Sequence, residues 1–122
     1  MSELRTDTIT ASDGTSPVTL TKQSAAKVYH SANDAGTILN GSLNVSSLTD
    51  TSTGKQTVNL STAAADTNYS VICGSGNKDN GNARVMLVEN VTTNSYGCSA
   101  YSTFVSAFSD TPQCSILHGD LA

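Results

Sequence analysis

The side chains with which this chain could do chemistry are two histidines, His30 and His118, three cysteines, Cys73, Cys98 and Cys114, and an abundance of serine. A hydrolytic site needs a nucleophile, a base and a group that orients the base. Serine is supplied everywhere, but neither histidine sits in a catalytic signature and no Gly-x-Ser-x-Gly elbow is present. The reading is that the chain is not an enzyme. The cysteines show neither a Cys-x-x-Cys pair nor metal-ligand spacing. They read as reduced thiols packed as small apolar side chains, with one bridge and a leftover thiol as the alternative. Gly74-x-Gly76 lacks the third glycine of a dinucleotide loop, and no Gly-Lys-Ser/Thr occurs. The run Asn77-Lys78-Asp79-Asn80-Gly81-Asn82 is oxygen-rich like a calcium loop, but it carries one carboxylate with Lys78 beside it. A calcium loop of that kind needs alternating acids and a distal Glu, so the run reads as a solvated turn. His30 and His118 read as half-buried strand histidines, the alternative being ligands to an ion on a symmetry axis. No resident metal and no cofactor is expected.

The aromatic residues are few. Tyr69 follows Asn68 at the start of a strand pattern and reads as core. Tyr96, in Asn94-Ser95-Tyr96-Gly97, and Phe108, in Ser106-Ala107-Phe108-Ser109, fall in or beside loops. There an aromatic ring either stacks on a sugar or anchors a protein partner, or it caps one end of the fold.

The elements that must position these residues are strands. Charged residues make up only 13% of the chain, and the net charge is −4. That excludes the clustered Lys and Arg of a nucleic-acid footprint. No apolar run reaches the roughly 18–20 residues of a membrane helix. Serine and threonine together supply 35 of 122 residues, which points to an uncharged, hydroxyl-rich all-β protein. Period-two alternation begins at Lys27. It places strands at Lys27–Ser31, through Leu39-Asn40-Gly41-Ser42-Leu43-Asn44-Val45-Ser46, at Lys55–Leu60, Tyr69–Cys73, Ala83–Glu89, Tyr96–Phe104 and Cys114–His118. Thr49–Gly54 and Gly74–Asn82 carry turn chemistry, and Ala63–Ala65 reads as a short turn. About seven strands joined by turns of roughly 6–9 residues predict a small antiparallel β-sandwich, jelly-roll-like in arrangement.

In Val85-Met86-Leu87-Val88, Val71-Ile72 and Ile116-Leu117 the apolar residues do not alternate, so both faces of those strands are expected to be dry. Subunit contacts would account for this. Residues 1–26 differ from the rest, with only Leu4, Ile9, Val18 and Leu20 as large aliphatics among Thr, Ser, Asp and Gly. Such a segment cannot offset its own ordering entropy and is expected to act as an arm that packs on, pairs with or attaches to something larger. The first residues lack the basic and apolar regions of a secretion signal.

The stretch Ser2-Glu3-Leu4-Arg5-Thr6-Asp7-Thr8-Ile9-Thr10-Ala11-Ser12-Asp13-Gly14-Thr15, followed by Val18-Thr19-Leu20, resembles the N-termini of fibre and appendage proteins of tailed bacteriophages, particularly marine ones. The resemblance continues through Thr21-Lys22-Gln23-Ser24-Ala25-Ala26-Lys27, Leu43–Asp50, Thr57-Val58-Asn59-Leu60, Ala65–Val71 and the terminal strand. The chain departs from the family in having only Val28-Tyr29-His30 where an aromatic-rich segment often follows Ala-Ala-Lys, and in lacking a long shaft.

The resemblance implies a homotrimeric virion appendage, made in the host cytoplasm, with an attachment arm over residues 1–26 and a β-sandwich knob over 27–122. It implies that Leu4, Arg5, Asp7 and Ile9 belong to the segment that meets other virion proteins. The knob is expected to adhere to host-surface glycan or protein through its loops. The candidate contacts are Asn77, Lys78, Asp79, Asn80, Asn82, Asn94, Tyr96, Phe108 and Asp110. No nucleic acid and no membrane insertion is expected. A short tail fibre and a capsid-mounted knob both fit. The rival readings are a capsid decoration protein without a receptor role and a lectin-like sandwich unrelated to phage.

Overall fold

The computed structural model describes residues 26–34, 39–75 and 83–121. Nine strands are formed there, and no helix: β1 (Val28–Ala32), β2 (Leu39–Leu43), β3 (Val45–Ser52), β4 (Lys55–Leu60), β5 (Ser70–Ser75), β6 (Arg84–Glu89), β7 (Ser95–Ser102), β8 (Ala107–Phe108) and β9 (Gln113–His118). They build two antiparallel sheets, one of four strands in the order β2-β1-β9-β5 and one of five with the path β3-β4-β7-β6, where β8 also pairs with β7. The expected all-β class is therefore observed, with nine strands in place of about seven. The expected N-terminal arm lies outside the described residues.

The sheets pack face to face because alternate residues of each are apolar. Val28 and Leu117 of the four-stranded sheet meet Val58, Tyr96 and Cys98 of the five-stranded sheet in the core. Val45, Leu48, Leu60, Tyr69, Val71 and Cys73 pack around them. Each fully buried aliphatic such as Leu117 contributes about 2 kcal/mol of apolar burial.

Two differences from the expected strands have local causes. The run Leu39–Ser46 reads as one strand but is cut at Asn44, which takes the left-handed conformation at φ 57°, a region asparagine tolerates better than most residues. Its side chain accepts a hydrogen bond from the Thr62 amide at 2.7 Å and donates to the Thr62 carbonyl at 3.1 Å. The chain crosses there from one sheet to the other, so Leu43 faces outward while Val45 packs on the core. The expected turn Thr49–Gly54 is shorter than predicted, since β3 continues to Ser52 and pairs Ser52 with Lys55.

That hairpin turns on Gly54, at φ 71°. A Cβ at this position would lie 2.6 Å from the Ser109 amide nitrogen and 2.9 Å from the Ala100 carbonyl, so only glycine fits. The Gly54 amide donates to Asp110 Oδ1 at 2.7 Å, and its carbonyl accepts from the Ala100 amide at 2.8 Å and from Gln113 Nε2 at 3.0 Å.

Candidate functional site

The loops separate into two ends of the sandwich. β4 pairs with β7 so that Lys55 meets Ser99 and Asn59 meets Ser95. Asn94 therefore sits at the end where β4 finishes, and the Gly54 turn with Asp110 sits at the end where it starts. Between them lie about 17 Å of strand. At the Asn94 end, Thr92 Oγ1 accepts from the amides of Asn94 and Ser95 at 3.2 and 3.0 Å, and Tyr69 Oη donates to the Thr92 carbonyl at 2.6 Å. This turn is tied down by its own hydroxyls.

The other end carries the more open surface. β7 leaves the sheet at Ser102, and the chain turns through residues 103–106 before β8 pairs back, Tyr101 with Phe108 and Ser102 with Ala107. Ser106 takes the left-handed conformation at φ 52° to close that turn. Phe104, 75% exposed, and Val105, 58% exposed, stand at its tip. Phe108 lies behind them, edge-on to Tyr101 at 5.5 Å between ring centres, with Lys55 Nζ 4.1 Å over its ring. Lys55 also pairs with Glu89 at 3.3 Å, and Glu89 accepts a hydrogen bond from Ser99. The Ser99 hydroxyl first, and Lys55 after it, hold the Glu89 carboxyl below its ordinary pKa. Ser75 pairs with Gln113 and Arg84 with Ser102, so the strand ends that flank residues 76–82 emerge at this same end.

Of the expected contacts, Phe108 and Asp110 are brought together here, Phe108 half-buried and Asp110 exposed but engaged with the Gly54 amide. Asn94 is exposed at the opposite end. Asn77, Lys78, Asp79, Asn80 and Asn82, with Leu4, Arg5, Asp7 and Ile9, lie outside the described residues. Tyr96 is a correction: expected as an exposed ring in or beside a loop at the start of its strand, it is second in β7 and fully buried, and cannot touch a ligand at the surface. The residues that sequence reading missed are Phe104, which it placed at the end of a strand, and Val105, which it assigned to no element. The local signal was the loop-like segment that follows them, Ser106 to Thr111.

The interior holds a polar chain. His30, 1% exposed, makes contact through Nδ1 with Ser115 Oγ at 2.6 Å and through Nε2 with Gln56 Nε2 at 3.1 Å. Tyr96 Oη shares Ser115 Oγ at 2.6 Å, and Gln56 Nε2 donates to Gln113 Oε1 at 3.2 Å. A histidine beside a serine hydroxyl is the nucleophile–base pair of a hydrolytic site, which also needs a group to orient the base. Here both side chains are buried, and an amide rather than a carboxylate meets the second nitrogen, so the arrangement fixes the core. Burial lowers the His30 pKa to about 4, which keeps the ring neutral at pH 7. Because both ring nitrogens face the interior, His30 is not placed to hold an ion between subunits. Among the described residues, no group of three or more His, Cys, Asp or Glu is placed to hold a metal. The three cysteines are free, and contact with Cys73, then burial, pushes the Cys98 thiol pKa up.

Compared with protein-family models, curated proteins and solved structures, the chain finds no match.

Proposed function

We propose that this chain is a non-enzymatic, trimeric, jelly-roll-like knob of a phage particle, attached through residues 1–26, that adheres to host-surface glycan or protein. The observation that carries the adhesive part is the exposed Phe104–Val105 tip, raised on a tight turn at the end where the Asp110 segment and the flanks of residues 76–82 meet. An aromatic residue held out in water among serine, threonine and aspartate side chains has the composition of a weak contact patch, apolar at the centre and polar at the rim. Three copies would convert individually weak contacts into useful avidity. The virion address rests on the N-terminal resemblance. The strand arrangement supports the jelly-roll-like reading, because β1, β9 and β5 in one sheet face β4, β7 and β6 in the other.

Binding of the purified chain to a glycan array and to intact bacterial cells tests this. Phe104→Ser should lower binding at least tenfold while leaving the circular dichroism and melting temperature unchanged, since the ring contributes little to packing. Binding unaltered by Phe104→Ser removes the tip from the reading. Absence of any wild-type binding, together with tight association with empty capsids, would favour the decoration protein.

A further inference from the structure

The outward residues of the four-stranded sheet form parallel rows. A polar one, Ser70 beside His118, lies at one end, and two others cross all four strands. The strand register sets Leu43 beside Tyr29, Tyr29 beside Ile116 and Ile116 beside Ile72, one large apolar side chain from each strand across the whole sheet. They are 48%, 45%, 44% and 72% exposed. The adjacent row is Gly41, Ser31, Cys114 and Gly74, in which every residue is small. Together they make a ridge beside a trough, and at the β1–β9–β5 side a hollow of about 410 Å³ opens between Tyr29, Ile72 and Ile116 over Ser31, Cys114 and Gly74. Gly74 matters to its depth, since a Cβ there would press on Cys114 Sγ at 3.2 Å. The outer face of the other sheet carries Thr49, Thr57, Asn59, Lys55 and Glu89 over β3 and β4 and at one end of β6. Its exposed aliphatics, Val85 and Leu87, are confined to β6 rather than crossing the sheet.

We propose that this apolar face is the surface on which three copies of the chain associate, the sheets closing around a three-fold axis. The inference rests on the trimer in the functional reading and assigns its interface. Two features, charge and width, point to further copies as the occupant. Neither row carries a charge, so identical chains of net charge −4 meet here without like-charge repulsion. The area per contact is small: four strands at about 4.8 Å spacing and about 20 Å long give a face on the order of 400 Å² in projection. That face is shared between two neighbours in a ring of three, so each pair buries less than the ~800 Å² per partner of a standard interface, and the three contacts hold the ring only together. The width fits. Three faces about 19 Å wide, set as the sides of a triangular prism, leave about 5.5 Å from each sheet to the axis. Packed sheets lie about 10 Å apart, so each fills about 5 Å with side chains, and the ridge residues fill that prism. A small ligand is less suited to the hollow, which is shallow and lacks a charged side chain to orient one.

Light scattering of the full chain, with sedimentation at several concentrations, decides the matter. Wild type should have three times the 12.6 kDa chain mass. Ile72→Glu should be a folded monomer by circular dichroism, Ile116→Thr should raise the dissociation concentration at least tenfold, and Thr49→Glu on the opposite face should stay trimeric. The milder Ile116→Thr keeps the test decisive should Ile72→Glu not fold. A wild-type monomer or dimer overturns the three-fold arrangement. A trimer that survives both isoleucine substitutions overturns this face as the interface while leaving the adhesive reading, tested by Phe104→Ser, untouched.

Discussion

At the residue scale the most constrained group is His30, whose ring nitrogens both meet partners in the interior, Ser115 on one side and Gln56 on the other. A neutral ring matches that network, since Nδ1–H can donate to Ser115 and Nε2 can accept from the Gln56 amide, and protonation would set two donors against each other. Burial lowers the folded-state pKa to about 4 from the ordinary 6.5. The unfolded chain therefore takes up this proton first as pH falls, and stability is lost through the window from about 6.5 down to about 4. Below that window both states are protonated and the loss stops growing, at about 3 kcal/mol. Urea unfolding between pH 7.5 and 4.5 should show that slope in wild type and a flatter one in His30→Gln. Equal slopes would mean that His30 does not titrate with folding. A different set of hydrogen bonds explains why Tyr96, which joins this network at Ser115, was misread from its neighbours. Asn94-Ser95 has the chemistry of a loop, but Thr92 completes the turn early, and β7 has begun by Ser95.

At the element scale the hairpin between β3 and β4 joins three parts of the chain at one glycine. Gly54 donates to Asp110, accepts from Ala100 and Gln113, and leaves no room for a side chain. Gly54→Ala adds a positive-φ penalty of about 1 kcal/mol and forces backbone atoms apart. It should lower the melting temperature by about 10 °C or more in a domain of this size. A thermal scan showing a shift of only 1–2 °C would contradict the close approach. Period-two alternation was enough to find most strands here, because residues such as Val58 and Leu60 alternate with Thr57 and Asn59. Strand breaks were less legible. Leu43 and Val45 share a parity but face opposite ways, because the αL residue Asn44 resets the count. The distant Ser61 and Thr62, which bind the Asn44 carbonyl and side chain, hold that corner. The Phe104 tip was hidden for a related reason: its turn is closed by the positive φ of Ser106, and serine carries little of the turn signal that glycine or asparagine would.

At the scale of the whole molecule, the two sheets have unlike outer surfaces, and this divides the labour. The apolar face of the β2-β1-β9-β5 sheet is the one proposed to close around the axis, while the exposed Phe104 tip lies at one end of the five-stranded sheet, away from the ridge residues. Non-alternating apolar runs such as Val71-Ile72 and Ile116-Leu117 signalled two dry faces in the sequence. Only the register shows that Ile72 and Ile116 are neighbours in one row with Tyr29 and Leu43. If association depends on this row, the arm is free for attachment and is dispensable for assembly. A chain of residues 26–122 keeps the hydrogen bond from the Lys27 amide to the Leu117 carbonyl, at 2.9 Å, that seats β1 on β9. By light scattering it should retain the three-fold mass of the full chain, and it should lose association with the rest of the particle. A shortened chain that falls to monomers would place the association in residues 1–25 instead. The exposed ridge would then be left as a surface for another virion protein, and Ile72→Glu would weaken that contact rather than the oligomer.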